Sequence, residues 1–247
     1  MISFFKVLEL KTDDNKNFFY SNLALLKLKK EIKELLNELK DIDAIEELNS
    51  FFKTTKEDSN IRDGYCYIIG NNSIDKESIK KLYAILSNGL LDDYSKEHMG
   101  EYYRKGREFI SRKAFNCVDE FEEVTSYHIL DERMNNLIKY INEDNDKDIV
   151  EKYIKSQVIH YYISYIHPYF DANGRTARTI AIWYLLNNNA DSCVLFNNRM
   201  LQDKQVYNRA IKRMRSGNIT SYLEYSLRIL KEELEKKKSI EEKHVRR

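Results

Sequence analysis

His167-Pro168-Tyr169-Phe170-Asp171-Ala172-Asn173-Gly174-Arg175-Thr176-Ala177-Arg178 holds the only proline of this 247-residue chain and joins two long helical patterns. Upstream, over 148–166, Val150, Ile154, Val158, Tyr161, Tyr162 and Tyr165 recur at helical spacing. A proline disfavours helix at the residue before it, so this first helix is expected to end near His167. A second is expected from about Gly174. Its run Ile180-Ala181-Ile182-Trp183-Tyr184-Leu185-Leu186 is apolar on every side, which assigns it to the centre of a domain. Asn187, Asn188 and Asn189 then supply residues that tolerate a left-handed helix ending. The stretch reads as helix, tight loop, helix.

The loop gathers a histidine, an acid, an Asn-Gly turn and two arginines. The first N–H groups of the second helix lack intrahelical partners and form a ready anion site, which the backbone at Asn173 and Gly174 lets a ligand approach closely. Arg175 and Arg178 are three apart and share a face in the first turn, an end of a helix where cations are disfavoured. A bound polyanion would compensate them, and the planar guanidinium suits phosphate. The alternative is that Asp171 or another carboxylate satisfies them internally. His167, at the loop, is suited to act as a general base on a hydroxyl. His160, seven residues earlier, is assigned to packing. Asp171 reads either as a cap for the second helix or, beside phosphates, as a ligand for Mg2+. No GxxxxGK[ST] and no GxGxxG occurs, so a phosphate site here is not of those classes.

Working outward, residues 20–48 carry leucines and Ile32 mostly three or four apart among lysines and glutamates, an amphipathic helix. The polar stretch 53–63 is expected to connect it to the rest. Another helix is expected over 75–91, with Gly89 near its end, and another over 131–142. Residues 100–118, with Gly100 and Gly106 flanking Glu101-Tyr102-Tyr103-Arg104-Lys105, read as a short hairpin or extended flap. Two further helices are expected over 200–235, the second opening with a capping box from Ser221 to Glu224. From Lys231 onward the chain is dense in both signs of charge and reads as a solvated, partly frayed helix.

Composition limits the alternatives. Lysine plus arginine (41) balances aspartate plus glutamate (40), for a net charge of +1, so a nucleic-acid partner has no electrostatic support in the total. Cys66, Cys117 and Cys193 are odd in number and widely spaced, which argues against a zinc site and a disulfide framework and for a reducing, cytoplasmic setting. The opening Met1–Lys6 does not read as a signal peptide, and no apolar run approaches the ~20 residues of a membrane span. One proline and seven glycines favour helix throughout.

The segment 167–178 closely resembles the Fic signature HPFx(D/E)GNGRxxR, matching it at His167, Pro168, Asp171, Asn173, Gly174, Arg175 and Arg178. The resemblance extends more weakly over about 75–230, including the flap, Asn198-Arg199 and Tyr207. Tyr169 stands where phenylalanine is usual. Ala172 replaces the first glycine of the turn, as in the Doc branch, whose signature reads DANKR; the Doc lysine is absent here.

The resemblance implies an all-α fold of the Fic type with a small β-hairpin flap and an N-terminal helical arm. It divides the chain into an arm (1–60), a Fic-like catalytic domain (61–230) and a charged tail (231–247). It implies a protein adenylyltransferase that moves AMP from ATP to a Ser, Thr or Tyr hydroxyl of a target protein. His167 would be the base, Asp171 would hold Mg2+, and Asn173, Gly174, Arg175 and Arg178 would hold the phosphates. Phe109 and Ile110 in the flap would pair with an extended target segment. A Doc-like protein kinase transferring the γ-phosphate is the second expectation, and a non-catalytic nucleotide-binding interaction module the third. The inhibitory [S/T]xxxE[G/N] pattern of many Fic proteins is absent: Thr55–Asn60 has Ser59 where glutamate is needed, and Glu224 is followed by Tyr225. Either inhibition comes from a separate antitoxin partner, or the motif has degenerated, or the protein is not inhibited in this way; the expected setting is cytoplasmic, or a host cell after delivery as an effector.

Overall fold

Ser21 ends a strand and caps a helix in one step. The computed structural model describes residues 4–39, 59–112, 120–143, 148–196 and 216–245, with 206 and 210 besides. An antiparallel hairpin, β1 (Phe5–Lys11) and β2 (Asn17–Ser21), runs directly into α1 (Asn22–Glu38), whose Ala24 amide donates to the Ser21 hydroxyl. Then follow α2 (Ser59–Ile69), α3 (Lys76–Leu86) and the short α4 (Asp93–His98). A second antiparallel hairpin, β3 (Phe109–Arg112) and β4 (Glu120–Glu123), precedes α5 (Leu130–Asn142). The central pair is α6 (Ile149–Ile166) and α7 (Asn173–Asn187), and α8 (Thr220–Val245) closes the described chain. The architecture is the all-α one expected, with two small two-stranded sheets among the described residues.

Hydrophobic burial explains why α6 and α7 sit at the centre. Every residue from Tyr153 to Ile163 is buried, as is every residue from Thr179 to Leu185. A helix without a polar face has nowhere to lie but between other elements. The other helices are amphipathic and lay one face on this pair: Leu25, Leu28 and Ile32 from α1, Met134 and Leu137 from α5, Leu223, Leu227 and Leu230 from α8.

The N-terminal hairpin, which the periodicity of the sequence does not reveal, is part of the same core. Phe18 sets its ring edge-on to Tyr161, Tyr162 and Tyr165 of α6. The outer edge of β2 is covered by the segment before α8: the Phe19 amide donates to Gly217 and the Ile219 amide to Phe19. Gly217 has φ +79°, and a Cβ there would lie 2.6 Å from the Asn17 carbonyl oxygen, so only glycine fits.

Several expectations need correction. Residues 59–63 are the first turn of α2 rather than a connection. The hairpin lies at 109–123, further along than 100–118, and residues 100–108 form an irregular approach to it. No capping box opens α8. Thr220 already starts the helix, and its amide and hydroxyl both donate to the Asn218 side chain (3.0 and 2.7 Å), so Ser221 falls inside the first turn. The charged segment after 230 is docked rather than wholly solvated: Leu234 is buried, and Lys231 and Lys238 pair with Glu31 and Glu38 of α1. Residues 40–48, 53–58, 113–118 and 200–205, with Asn198, Arg199 and Tyr207, lie outside the described residues. Among the described residues no helix is long and apolar enough to cross a membrane.

His160 has the packing role assigned to it. It is fully buried, its Nδ1 lies 3.1 Å from the Tyr222 hydroxyl of α8, and burial, with the charge of Arg178, pushes its pKa down to about 3. The neutral ring is therefore the folded form. The unfolded chain takes up a proton below its ordinary value of 6.5, so this contribution is complete above that pH and is lost as pH falls toward 3. Urea unfolding across this window is expected to show wild-type stability falling by up to about 1.4 kcal/mol per pH unit more steeply than in His160→Gln.

Candidate active site

The loop between α6 and α7 is built by two backbone reversals and one side chain. α6 stops at His167, which takes left-handed dihedrals (φ 52°, ψ 64°) while its amide donates back to Ile163 at 3.0 Å. That conformation costs roughly 1–2 kcal/mol for a residue with a Cβ. The next residues are held from outside the motif. Arg104 donates from Nε to the His167 carbonyl (2.9 Å) and from its amide to the Pro168 carbonyl (3.0 Å).

Asn173 then closes the loop. Its side chain, buried, accepts from the Tyr169 amide (3.0 Å) and donates to the Tyr169 carbonyl (2.8 Å). Its role in this structure is to clasp the loop. Ala172 makes the second reversal, with φ 61° and ψ 9°, and its carbonyl accepts the Thr176 amide that starts α7. A glycine would adopt this geometry without the Cβ penalty.

No side chain caps α7, and no acid lies in its first turn. The leading N–H groups of Asn173 and Gly174 therefore have no intrahelical partner and, among the described residues, no side-chain cap from Ala172. Arg175 is half-buried and donates to the Leu86 carbonyl at 3.3 Å. Arg178 is half-buried above Gly174, where a Cβ would meet its Nη1 at 3.4 Å. Among the described residues Arg178 has no carboxylate within ion-pair distance. Asp171 is exposed at the loop tip, and one of its oxygens accepts the Ala172 amide. The loop so carries His167 at the end of α6, Asp171 at its tip, and Asn173, Gly174, Arg175 and Arg178 at the start of α7.

The β3–β4 hairpin stands beside this loop. Gly106, at its approach, lies under Phe170, so that a Cβ there would meet the Phe170 ring at 3.2 Å. Arg107 forks onto Glu123 (2.7 and 2.8 Å), bracing the base of the hairpin. Phe109 is partly exposed and Ile110 half-buried, opposite Glu123 and Glu122 in the register. β3 pairs only with β4 among the described residues, which leaves its other edge available for an added strand.

Tyr169 is buried and stacks flat on Tyr83 of α3, with ring centroids 3.6 Å apart and planes 8° from parallel. Tyr103 lies next to it at 6.1 Å. Burial holds the Tyr169 phenol well above its usual pKa and raises that of Tyr83 to about 12. The hydroxyls of Tyr83, Tyr103 and Tyr169 have no hydrogen-bond partner among the described residues. Tyr169→Phe removes a buried, unsatisfied hydroxyl and keeps the stack, so thermal or urea unfolding is expected to show a gain of about 1 kcal/mol.

Sequence reasoning missed Arg104, Tyr83 and Glu108. Burial raises the Glu108 carboxyl, with the nearby charge of Arg104 opposing and those of Asp171 and Asp92 adding. Nothing in Tyr102-Tyr103-Arg104-Lys105 distinguishes a buried arginine from a surface one.

Comparison with known proteins bears on the fold. The model of the Fic/DOC family matches residues 73–185, from the turn before α3 to the last turn of α7. No curated protein matches the sequence significantly. The solved structure of a Fic family protein from Desulfovibrio desulfuricans G20 is similar, with a TM-score of 0.58 and 17% identity. The alignment covers 89% of this chain and 63% of that one, so this chain spans less than two thirds of its relative's length. The matched segment, a little under half of the chain, contains α6, the whole loop and α7 as far as Leu185, and over it this chain is similar to the Fic/DOC family.

Proposed function

We propose that the protein is an adenylyltransferase that moves AMP from ATP to a hydroxyl side chain of a target protein. The observation that carries this reading is the uncapped, acid-free N-terminus of α7 carrying Arg175 and Arg178, with His167 at its lip. Backbone amides and guanidinium groups at one point favour a polyphosphate. The oxygen of the target hydroxyl forms a bond to the α-phosphorus, and the bond from that phosphorus to the bridging oxygen of the β-phosphate breaks. The pair of electrons leaves with pyrophosphate, and the hydroxyl proton passes to His167. Asn173 and Gly174 present amides to the phosphates, Arg175 neutralises them, and Arg178 reaches the terminal phosphate.

Asp171 fits a magnesium site of the sparse kind. Among the described residues no group of three or more His, Cys, Asp and Glu side chains gathers to form a cage. Mg2+ is commonly held by one or two carboxylates together with substrate phosphates, and Asp171 is exposed at the right helix end to serve so. Held by Asp171, the ion would offset the charge of the phosphates. The edge of β3 at Phe109 and Ile110 would align the target segment by main-chain hydrogen bonds.

Ala172 favours a second reading, a protein kinase that transfers the γ-phosphate, because alanine at this turn follows the Doc pattern. Gly174 and Arg178 follow the Fic pattern and favour AMP transfer. Incubation with ATP labelled at either the α or the γ position separates the two. AMP transfer retains the α label on protein; retention of the γ label alone would establish the kinase and overturn AMP transfer.

A further inference from the structure

Arg104 is charged yet almost wholly buried beneath the loop. Its guanidinium donates to main-chain carbonyls of three separate segments: to His167 from Nε (2.9 Å), to Gly106 from Nη1 (2.6 Å) and to Thr125 from Nη2. Its own amide holds Pro168. Gly106 leads into β3 and Thr125 follows β4, so one side chain joins both feet of the hairpin to the residue expected to act as base. Thr125 is fixed in turn, since its hydroxyl donates to Asp13 at 2.7 Å. Asp13 lies in the turn between β1 and β2 and also accepts from the Tyr165 hydroxyl at 3.3 Å, two residues before His167.

We propose that Arg104 is a positioning residue that holds the His167 backbone in its left-handed conformation and couples it to the β3–β4 hairpin. The proposal rests on the reading of His167 as base. Arginine has five N–H donors in a rigid fork, which suits three carbonyls diverging around it, whereas the single ammonium nitrogen of lysine cannot span them. The backbone of His167 is strained, so its geometry depends on what grips its carbonyl. A target segment added to β3 would shift the feet of the hairpin, and Arg104 would pass that shift to the base.

The test uses the full chain with Arg104→Lys and, as a milder variant, Thr125→Val, which removes only the hydroxyl bond to Asp13. The chain has five histidines, and His167→Ala assigns the His167 ring signal in NMR spectra. Arg104→Lys is expected to remain folded by circular dichroism and to bind ATP with Mg2+ as the wild type does. Its His167 resonance and titration midpoint should move, and turnover should fall at least about tenfold with KM for ATP unchanged. Thr125→Val should move the same resonance in the same direction by less, which keeps the test available if Arg104→Lys does not fold. A His167 resonance and titration unchanged in the folded variants would overturn the proposal. The NMR comparison needs no turnover, so a chain that transfers nothing would count against the proposed reaction and leave the test of Arg104 standing.

Discussion

His167→Ala is expected to lower transfer to protein by about 10²–10⁴-fold, the range for loss of a positioned general base, while ATP binding persists. The proposed phosphate contacts come from α7, and the histidine stands outside them at the end of α6. Substitution therefore removes the proton acceptor without dismantling the anion site. The backbone grip of Arg104 acts on the carbonyl, which alanine retains. Initial rates with labelled ATP, beside calorimetric titration of ATP with Mg2+, check both halves. An equal loss of binding and rate would assign His167 to the structure of the site instead of to its chemistry.

Asn173→Ala is expected to destabilise the fold by roughly 2–4 kcal/mol, because two buried main-chain groups of Tyr169 lose their partners together. Urea unfolding measures this as a lower midpoint with an unchanged slope. The same variant should reduce transfer, since the clasp sets the spacing between His167 and the first turn of α7. Asn173 is thus expected to serve twice, with its amide toward the proposed phosphate site and its side chain on the loop. A loss of less than ~0.5 kcal/mol would show that the loop holds its shape without the clasp.

The central helices were legible because burial on all sides leaves an unmistakable pattern: Ile180 to Leu185 has no polar face, and its neighbours must enclose it. The loop was legible because each of its residues is constrained by geometry. Pro168 stops α6, and Asn173 and Gly174 open α7. Other features carry no such local signature. β1 and β2 are short and half-exposed, and β2 is completed by Gly217–Ile219, two hundred residues away in sequence, so no window of sequence contains the pairing. Arg104 looks like any surface arginine until the carbonyls of His167, Gly106 and Thr125 converge on it. The capping side chain of α8 was misplaced by three residues because Asn218 and Ser221 both offer a side-chain oxygen there, and the pairing of Phe19 with Gly217 and Ile219 fixes which one lies at the helix start.

The left-handed Ala172 is where site and reaction meet. Its backbone sets the direction of the leading amides of α7, and its methyl group marks the Doc-like departure from the Fic turn. The choice of transferred group depends on which phosphorus comes to rest beside His167. A crystal structure of the full chain with a non-hydrolysable ATP analogue and Mg2+ measures that placement directly. AMP transfer requires the triphosphate on the amides of Asn173 and Gly174, the α-phosphorus facing His167 and the γ-phosphate at Arg178. A γ-phosphorus facing His167, or a triphosphate bound away from the N-terminus of α7, would contradict it.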